Sequence, residues 1–159
     1  MSYARKEYSD FQALAPDAYE AVSTLGRIAA KAGIDQQLLE LIKLRASQIN
    51  GCAFCVQYHI LQAERLSVPV DKLNLVVVWR EAPQFSARER AALAWTEALT
   101  LLTGGVSDEV YEEARAEFSD KELTYLTSAI ASINVWNRFG VAYRWTPPVR
   151  QTPAAAAAS

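Results

Sequence analysis

Apolar residues recur along this chain at helical spacing, in segments parted by short polar, glycine- or proline-bearing breaks. Residues Met1 to Ala15 are mixed and polar, an arm with some helix. Pro16 suits a first helical position, and Asp17 to Ala32 reads as a helix ended by Gly33. Asp35 can cap the next, Gln36 to Asn50. There Leu38, Leu41, Ile42, Arg45 and Ile49 share one side, and Glu40, Leu44 and Ser47 an adjoining one. Gly51 stops that helix, and Ala53 to Leu66 continues as another that begins at or near Cys52. After the break at Ser67-Val68-Pro69, Asp71 to Arg80 forms a short helix. Ser86 with Glu89, and Ser119 with Glu122, are capping-box pairs that open helices to about Leu102 and Phe139. Gly104-Gly105 closes the first of these, and Ser107 caps another over Asp108 to Phe118. Val76-Val77-Val78 is the one β-favouring run, and its flanks are helical. The pattern predicts an all-α fold of six to eight helices. Residues 1–15 are an N-terminal arm, 16–145 one domain and 146–159 a flexible C-terminal tail, including the alanine run Ala154 to Ala158.

The chain has 159 residues, 51% hydrophobic and 21% charged, which suits a single globular domain with a real core. The net charge is -2 with both signs interleaved, so no nucleic-acid or anionic-membrane surface is expected. The longest apolar run, Leu75 to Trp79, is too short to span a bilayer, and no signal-peptide pattern opens the chain. A cytoplasmic location is expected. There a cysteine pair suits redox or metal chemistry better than a structural disulfide.

The candidate chemistry lies in Asn50 to His59, which holds both cysteines and the only histidine. On a helix starting near Cys52, Cys55 and His59 are one turn apart and Cys52 lies on the same stripe. The free N–H groups and partial positive charge of a helix start favour thiolate, the reactive form, over thiol. His59 can stabilise that thiolate if protonated, or accept the thiol proton if neutral. Three readings stand side by side: a redox pair, a zinc site and two inert core cysteines. Zinc needs four ligands and only Cys52, Cys55, His59 and Glu40 are at hand, so no metal is expected. Glu40 alone reads as an ordinary helix glutamate that Lys43 can pair. Tyr58, Trp79, Trp95 and Trp136 read as packing or interface, and Arg88, Glu89 and Arg90 as a solvated helix start. Asn134, Asn137 and Arg138 form a polar cluster on an apolar helix, suited to an interface or to substrate.

Glu40 followed by Cys52-x-x-Cys55-x-x-x-His59 resembles the AhpD-type alkylhydroperoxidase core of the carboxymuconolactone decarboxylase-like family. Trp79-Arg80-Glu81-Ala82-Pro83 and Glu89 to Thr100 extend the likeness, which covers roughly Leu38 to Arg144. The resemblance implies an all-helical AhpD-like bundle assembled into homo-oligomers, trimers or hexamers. It implies a thiol-dependent peroxidase of antioxidant defence that needs no metal, flavin or haem cofactor. Carried over, Cys55 is the peroxidatic cysteine, Cys52 the resolving one, and His59 and Glu40 the proton relay. The partners implied are a small-molecule peroxide and an external dithiol reductant, in better-known members a protein-bound dihydrolipoyl group. Phe54 stands where some alkylhydroperoxidases carry a second histidine. The family's decarboxylases generally lack the cysteine pair, so its retention favours the redox branch. A lactone-processing enzyme using His59 and Glu40, and a non-enzymatic oligomeric redox sensor, are the alternatives. The apolar residues Val56, Ile60, Leu61, Ala63 and Leu66 around the cysteines fit a preference for organic hydroperoxides.

Overall fold

The computed structural model describes residues 4–150; the alanine run of the tail lies outside them. Among the described residues there are eight α-helices and one 3₁₀ segment, and no strand. The helices are α1 (Tyr8–Leu14), α2 (Pro16–Lys31), α3 (Gln36–Ile49), α4 (Ala53–Arg65), α5 (Val70–Leu75), α6 (Ala87–Leu101), α7 (Asp108–Glu117) and α8 (Asp120–Tyr143), with the 3₁₀ segment Val76–Glu81 between α5 and α6. The all-α expectation holds.

The helix starts are those the caps dictate. Pro16 occupies the first turn of α2. Asp35 accepts the Leu38 N–H at 2.8 Å, and both predicted capping boxes, Ser86 with Glu89 and Ser119 with Glu122, are closed. The short helix expected over Asp71 to Arg80 divides instead, since Val78 leaves helical backbone (φ −123°, ψ 29°) and the chain tightens into the 3₁₀ segment. Three successive β-branched valines at 76–78 disfavour an undisturbed α-helix there.

Helix α3 is the central element and packs against α4, α6, α8 and the 3₁₀ segment. Its apolar residues divide between two clusters. Leu38, Leu39 and Ile42 join α2, α6, α7 and α8, whereas Leu41 and Leu44 join α4, α5, the 3₁₀ segment and α6. Leu41 therefore parts company with Leu38 and Ile42, a helix buried on two sides having no single apolar face. Leu39, Leu41, Ile42 and Leu44 are almost wholly buried, each contributing roughly 1.5–3 kcal/mol relative to an exposed side chain.

Helix α8 runs past the predicted end near Phe139 to Tyr143, and Arg144 in a left-handed conformation (φ 53°) ends it. Gly140 therefore lies within the helix rather than beyond its end. After α8 the chain folds back. Trp145 is buried, and Thr146 donates from its N–H and its hydroxyl to the Glu7 carboxylate, at 3.0 and 2.9 Å. Arg5 reaches the Ala142 carbonyl and Arg150 pairs with Glu64. Both ends of the described chain are thus tied to the body of the protein.

Candidate active site around Cys52 and Cys55

Helix α3 ends in a tight left-handed cap. The Gly51 N–H donates to the Gln48 carbonyl and the Cys52 N–H to the Ser47 carbonyl, with Gly51 at φ 68°. Cys52 is then the N-cap of α4, its Sγ accepting the Cys55 N–H at 3.2 Å. One residue in the left-handed region thus joins two helices and sets a sulfur at the positive end of the second.

The two sulfurs are bonded as a disulfide, with Cα atoms 5.3 Å apart. Both cysteines are buried, Cys52 at 2% and Cys55 at 3% exposure. Helix α8 presses on them at Gly140. A Cβ placed there meets Cys52 Sγ at 2.4 Å, Cys55 Sγ at 3.1 Å and the Trp145 ring at 3.6 Å. Only glycine lets backbone approach the disulfide so closely.

A cavity of about 260 Å³ has Cys55 and His59 on its wall, together with Ser132, Ile133 and Trp136 of α8. Cys52 does not line it; its Sγ lies against Gly140. Val56, Ile60 and Ala63 pack into the core with Leu41 and Leu44. The organic lining comes instead from Tyr8, Tyr19, Phe54, Tyr58, Trp136 and Trp145.

Glu40 sits beneath the histidine. Its Oε2 lies 2.7 Å from His59 Nδ1, and its Oε1 accepts from Lys43 Nζ at 2.8 Å. Both pairings anticipated for Glu40 thus occur at once. Burial pushes the His59 imidazole below its ordinary value, and the Glu40 carboxylate offsets this only in part. Burial would raise the Glu40 carboxyl, but the hydrogen bond from His59 and the Lys43 ammonium outweigh it and hold the group below the usual range. At neutral pH the pair is therefore a carboxylate and a neutral ring. A carboxylate only accepts, so Nδ1 carries the proton and donates, which leaves Nε2 as a base.

The cluster Asn134, Asn137 and Arg138 is bonded within the chain. Asn50 Nδ2 donates to Asn134 Oδ1 and Asn137 Oδ1, at 3.0 and 2.9 Å. Asn137 Nδ2 donates to Ser47 Oγ at 3.0 Å, and Arg138 to Asn50 Oδ1 at 3.1 Å. These bonds pin the last turn of α3 to α8, and so fix the chain just before Cys52. Arg88, Glu89 and Arg90 are not a solvated helix start. Arg88 bonds the Glu117 carbonyl and Glu122, Glu89 accepts from Lys72, and Arg90 bonds the carbonyls of Trp79, Arg80 and Ala82. Trp79 and Trp95 are core residues whose indoles donate to Glu97 and Thr127. Among the described residues no three His, Cys, Asp or Glu side chains gather as a metal-ligand set, and no helix is long and apolar enough to cross a membrane.

Residues 16–98 match the carboxymuconolactone decarboxylase family. An uncharacterised protein of Bacillus subtilis strain 168, YdfG, is 32% identical over 130 residues, covering 81% of this chain and 88% of that protein. A crystal structure from Agrobacterium tumefaciens is 40% identical and covers 93% of this chain and all of that one, with a TM-score of 0.85. It is a protein of unknown function, provisionally assigned as the antioxidant defence protein AhpD. An alkylhydroperoxidase AhpD core from Ralstonia eutropha JMP134, itself an uncharacterised peroxidase-related protein, shares the fold. Its TM-score is 0.75 at 21% identity, over 86% of this chain and 74% of that one.

Proposed function

The chain belongs to the carboxymuconolactone decarboxylase family, and on the chemistry around Cys55 we propose that it is a thiol-dependent peroxidase that reduces organic hydroperoxides. The observation that carries this reading is the shared cavity wall. Cys55 and His59 both border the cavity, while Glu40 holds the remaining ring nitrogen of His59. In the reduced enzyme His59 Nε2 takes the Cys55 thiol proton, and Glu40 stabilises the imidazolium that results. The Cys55 thiolate attacks the terminal peroxide oxygen. The O–O bond breaks, sulfur is oxidised to a sulfenic acid, and the departing alkoxide takes the proton back from His59 and leaves as an alcohol. The Cys52 thiol then displaces hydroxide from the sulfenic sulfur, giving the Cys52–Cys55 disulfide and one water. An external dithiol, of the dihydrolipoyl type the resemblance implies, reduces the disulfide by two exchange steps and is itself oxidised.

The Cys52–Cys55 disulfide is the oxidised end of this cycle. The cycle uses sulfur and proton chemistry alone, and a reducing cytoplasm keeps it turning. A homo-oligomer, trimer or hexamer, belongs to the same proposal. The test is peroxide consumption coupled to lipoyl- or glutathione-type reductants, by the wild type and by single variants at Glu40, Cys52, Cys55 and His59. Cys55→Ser abolishes turnover, and His59→Gln lowers kcat by about 10²–10⁴-fold, the usual share of a general base. Normal consumption by Cys55→Ser removes the assignment. Activity on a lactone that survives thiol alkylation points to His59 and Glu40 acting without the cysteines.

A further inference from the structure

The wall of the cavity is more aromatic than the reaction requires. Tyr8, Tyr19, Phe54, Tyr58, Trp136 and Trp145 line it beside Cys55 and His59. Tyr8 is the hub. Its ring centroid is 5.1 Å from that of Phe54, 5.2 Å from Trp145, 6.0 Å from Tyr19 and 6.1 Å from Trp136. Phe54 also lies within 13° of parallel to Tyr58, with centroids 6.1 Å apart. The volume of about 260 Å³ exceeds the roughly 150 Å³ that accommodates a benzene ring in an apolar cavity.

One hydrogen-bond donor of the aromatic wall is left over. The Tyr8 and Tyr19 hydroxyls bond to each other at 3.0 Å. Two phenols carry two protons and one bond uses one of them, so the other is open to a further acceptor. Burial and the bond to Tyr19 keep the Tyr8 phenol protonated far above neutral pH.

We infer that the cavity selects hydroperoxides that carry an aryl ring, the ring lying among these six side chains and the peroxide beside Cys55. The inference rests on the peroxidase reading and names its substrate class. An alkyl group of similar area gains burial alone. An aryl ring adds edge and offset contacts, each corresponding to about two- to ten-fold in binding. The bond changes are those given above: the peroxide O–O bond breaks, Cys55 sulfur is oxidised, and an aryl-bearing alcohol departs with the proton from His59.

The test compares kcat/KM for cumene hydroperoxide, its saturated counterpart of similar area (2-cyclohexylpropan-2-yl hydroperoxide) and hydrogen peroxide. Alongside it, the binding of cumyl alcohol and 2-cyclohexylpropan-2-ol to the oxidised protein is read by tryptophan fluorescence. The wild type is expected to favour cumene hydroperoxide over the cyclohexyl compound by about ten-fold or more, and to bind cumyl alcohol more tightly than the cyclohexyl alcohol by a similar factor. Tyr8→Leu brings both ratios to within about three-fold, while Tyr8→Phe, which keeps the ring, retains them. Equal kcat/KM for the two organic hydroperoxides in the wild type overturns the inference and leaves the peroxidase standing. If no peroxide is consumed the peroxidase reading falls, and cumyl alcohol binding no tighter than 2-cyclohexylpropan-2-ol then overturns the aryl preference as well.

Discussion

Glu40 and His59 form a buried pair whose protonation ties the stability of the protein to pH. The unfolded chain protonates His59 near its ordinary value of 6.5, whereas burial in the folded chain lowers that value. Below 6.5 the unfolded state therefore binds the extra proton, and stability falls as pH drops. Glu40, held below its ordinary 4.5, adds a further loss in the same direction below that pH. A melting curve taken at each pH from 8 to 5 checks this: the wild-type Tm declines below pH 6.5, and His59→Gln lacks that decline. Gly140 is decided at the same scale. In an exposed helix Gly→Ala gains about 1 kcal/mol, but here the new Cβ meets Cys52 Sγ at 2.4 Å. Gly140→Ala should destabilise the oxidised protein by roughly 1–3 kcal/mol in denaturant titration, as overpacked cores do; a gain in stability contradicts the packing described. The four residues of the Glu–Cys–Cys–His set were legible because each lies within one or two helices, where spacing fixes direction. Gly140 was not, since a glycine late in a helix looks the same whether it ends the helix or admits a sulfur.

At the scale of elements, the joint between α3 and α4 carries the site. Gly51 provides the one left-handed turn, and the bonds from Asn50 to Asn134 and Asn137 hold that turn against α8. Gly51→Ala places a side chain at φ 68°, at a cost of about 1–2 kcal/mol. Because the strain sits next to Cys52, disulfide formation should also slow, by more than in a variant equally destabilised at the cap of another helix such as Ser119→Ala. Quench-flow oxidation of the two reduced variants, matched for stability, decides this. The caps were legible because Asp35, Ser86 and Ser119 satisfy orphan N–H groups within three residues of themselves. The polar cluster on α8 was visible as a cluster, but its partners lie elsewhere in the chain, Ser47 in α3, Asn50 at the α3–α4 joint and Thr100 in α6. No local pattern points to them.

Taken as a whole, the molecule brings a cysteine pair from its middle under aromatic residues from both ends. Tyr8 comes from α1, Tyr19 from α2, Trp136 from α8 and Trp145 from the segment after it. The all-helical class and the cysteine motif could be read along the chain because helical periodicity is local. The cavity could not, because Tyr8 and Trp145 are far apart in sequence and meet only when the ends fold back. On the proposed cycle Cys55 is the sulfur that meets the peroxide and Cys52 the one that resolves it. Reduced Cys52→Ser separates the two roles, since its sulfenic acid has no partner thiol to condense with. One equivalent of cumene hydroperoxide is added in the presence of a sulfenic-acid trap, followed by peptide mass spectrometry. One equivalent of alcohol and a trapped adduct on Cys55 are expected. Full alcohol release with Cys55 unmodified, or no release at all, overturns the assignment of Cys55.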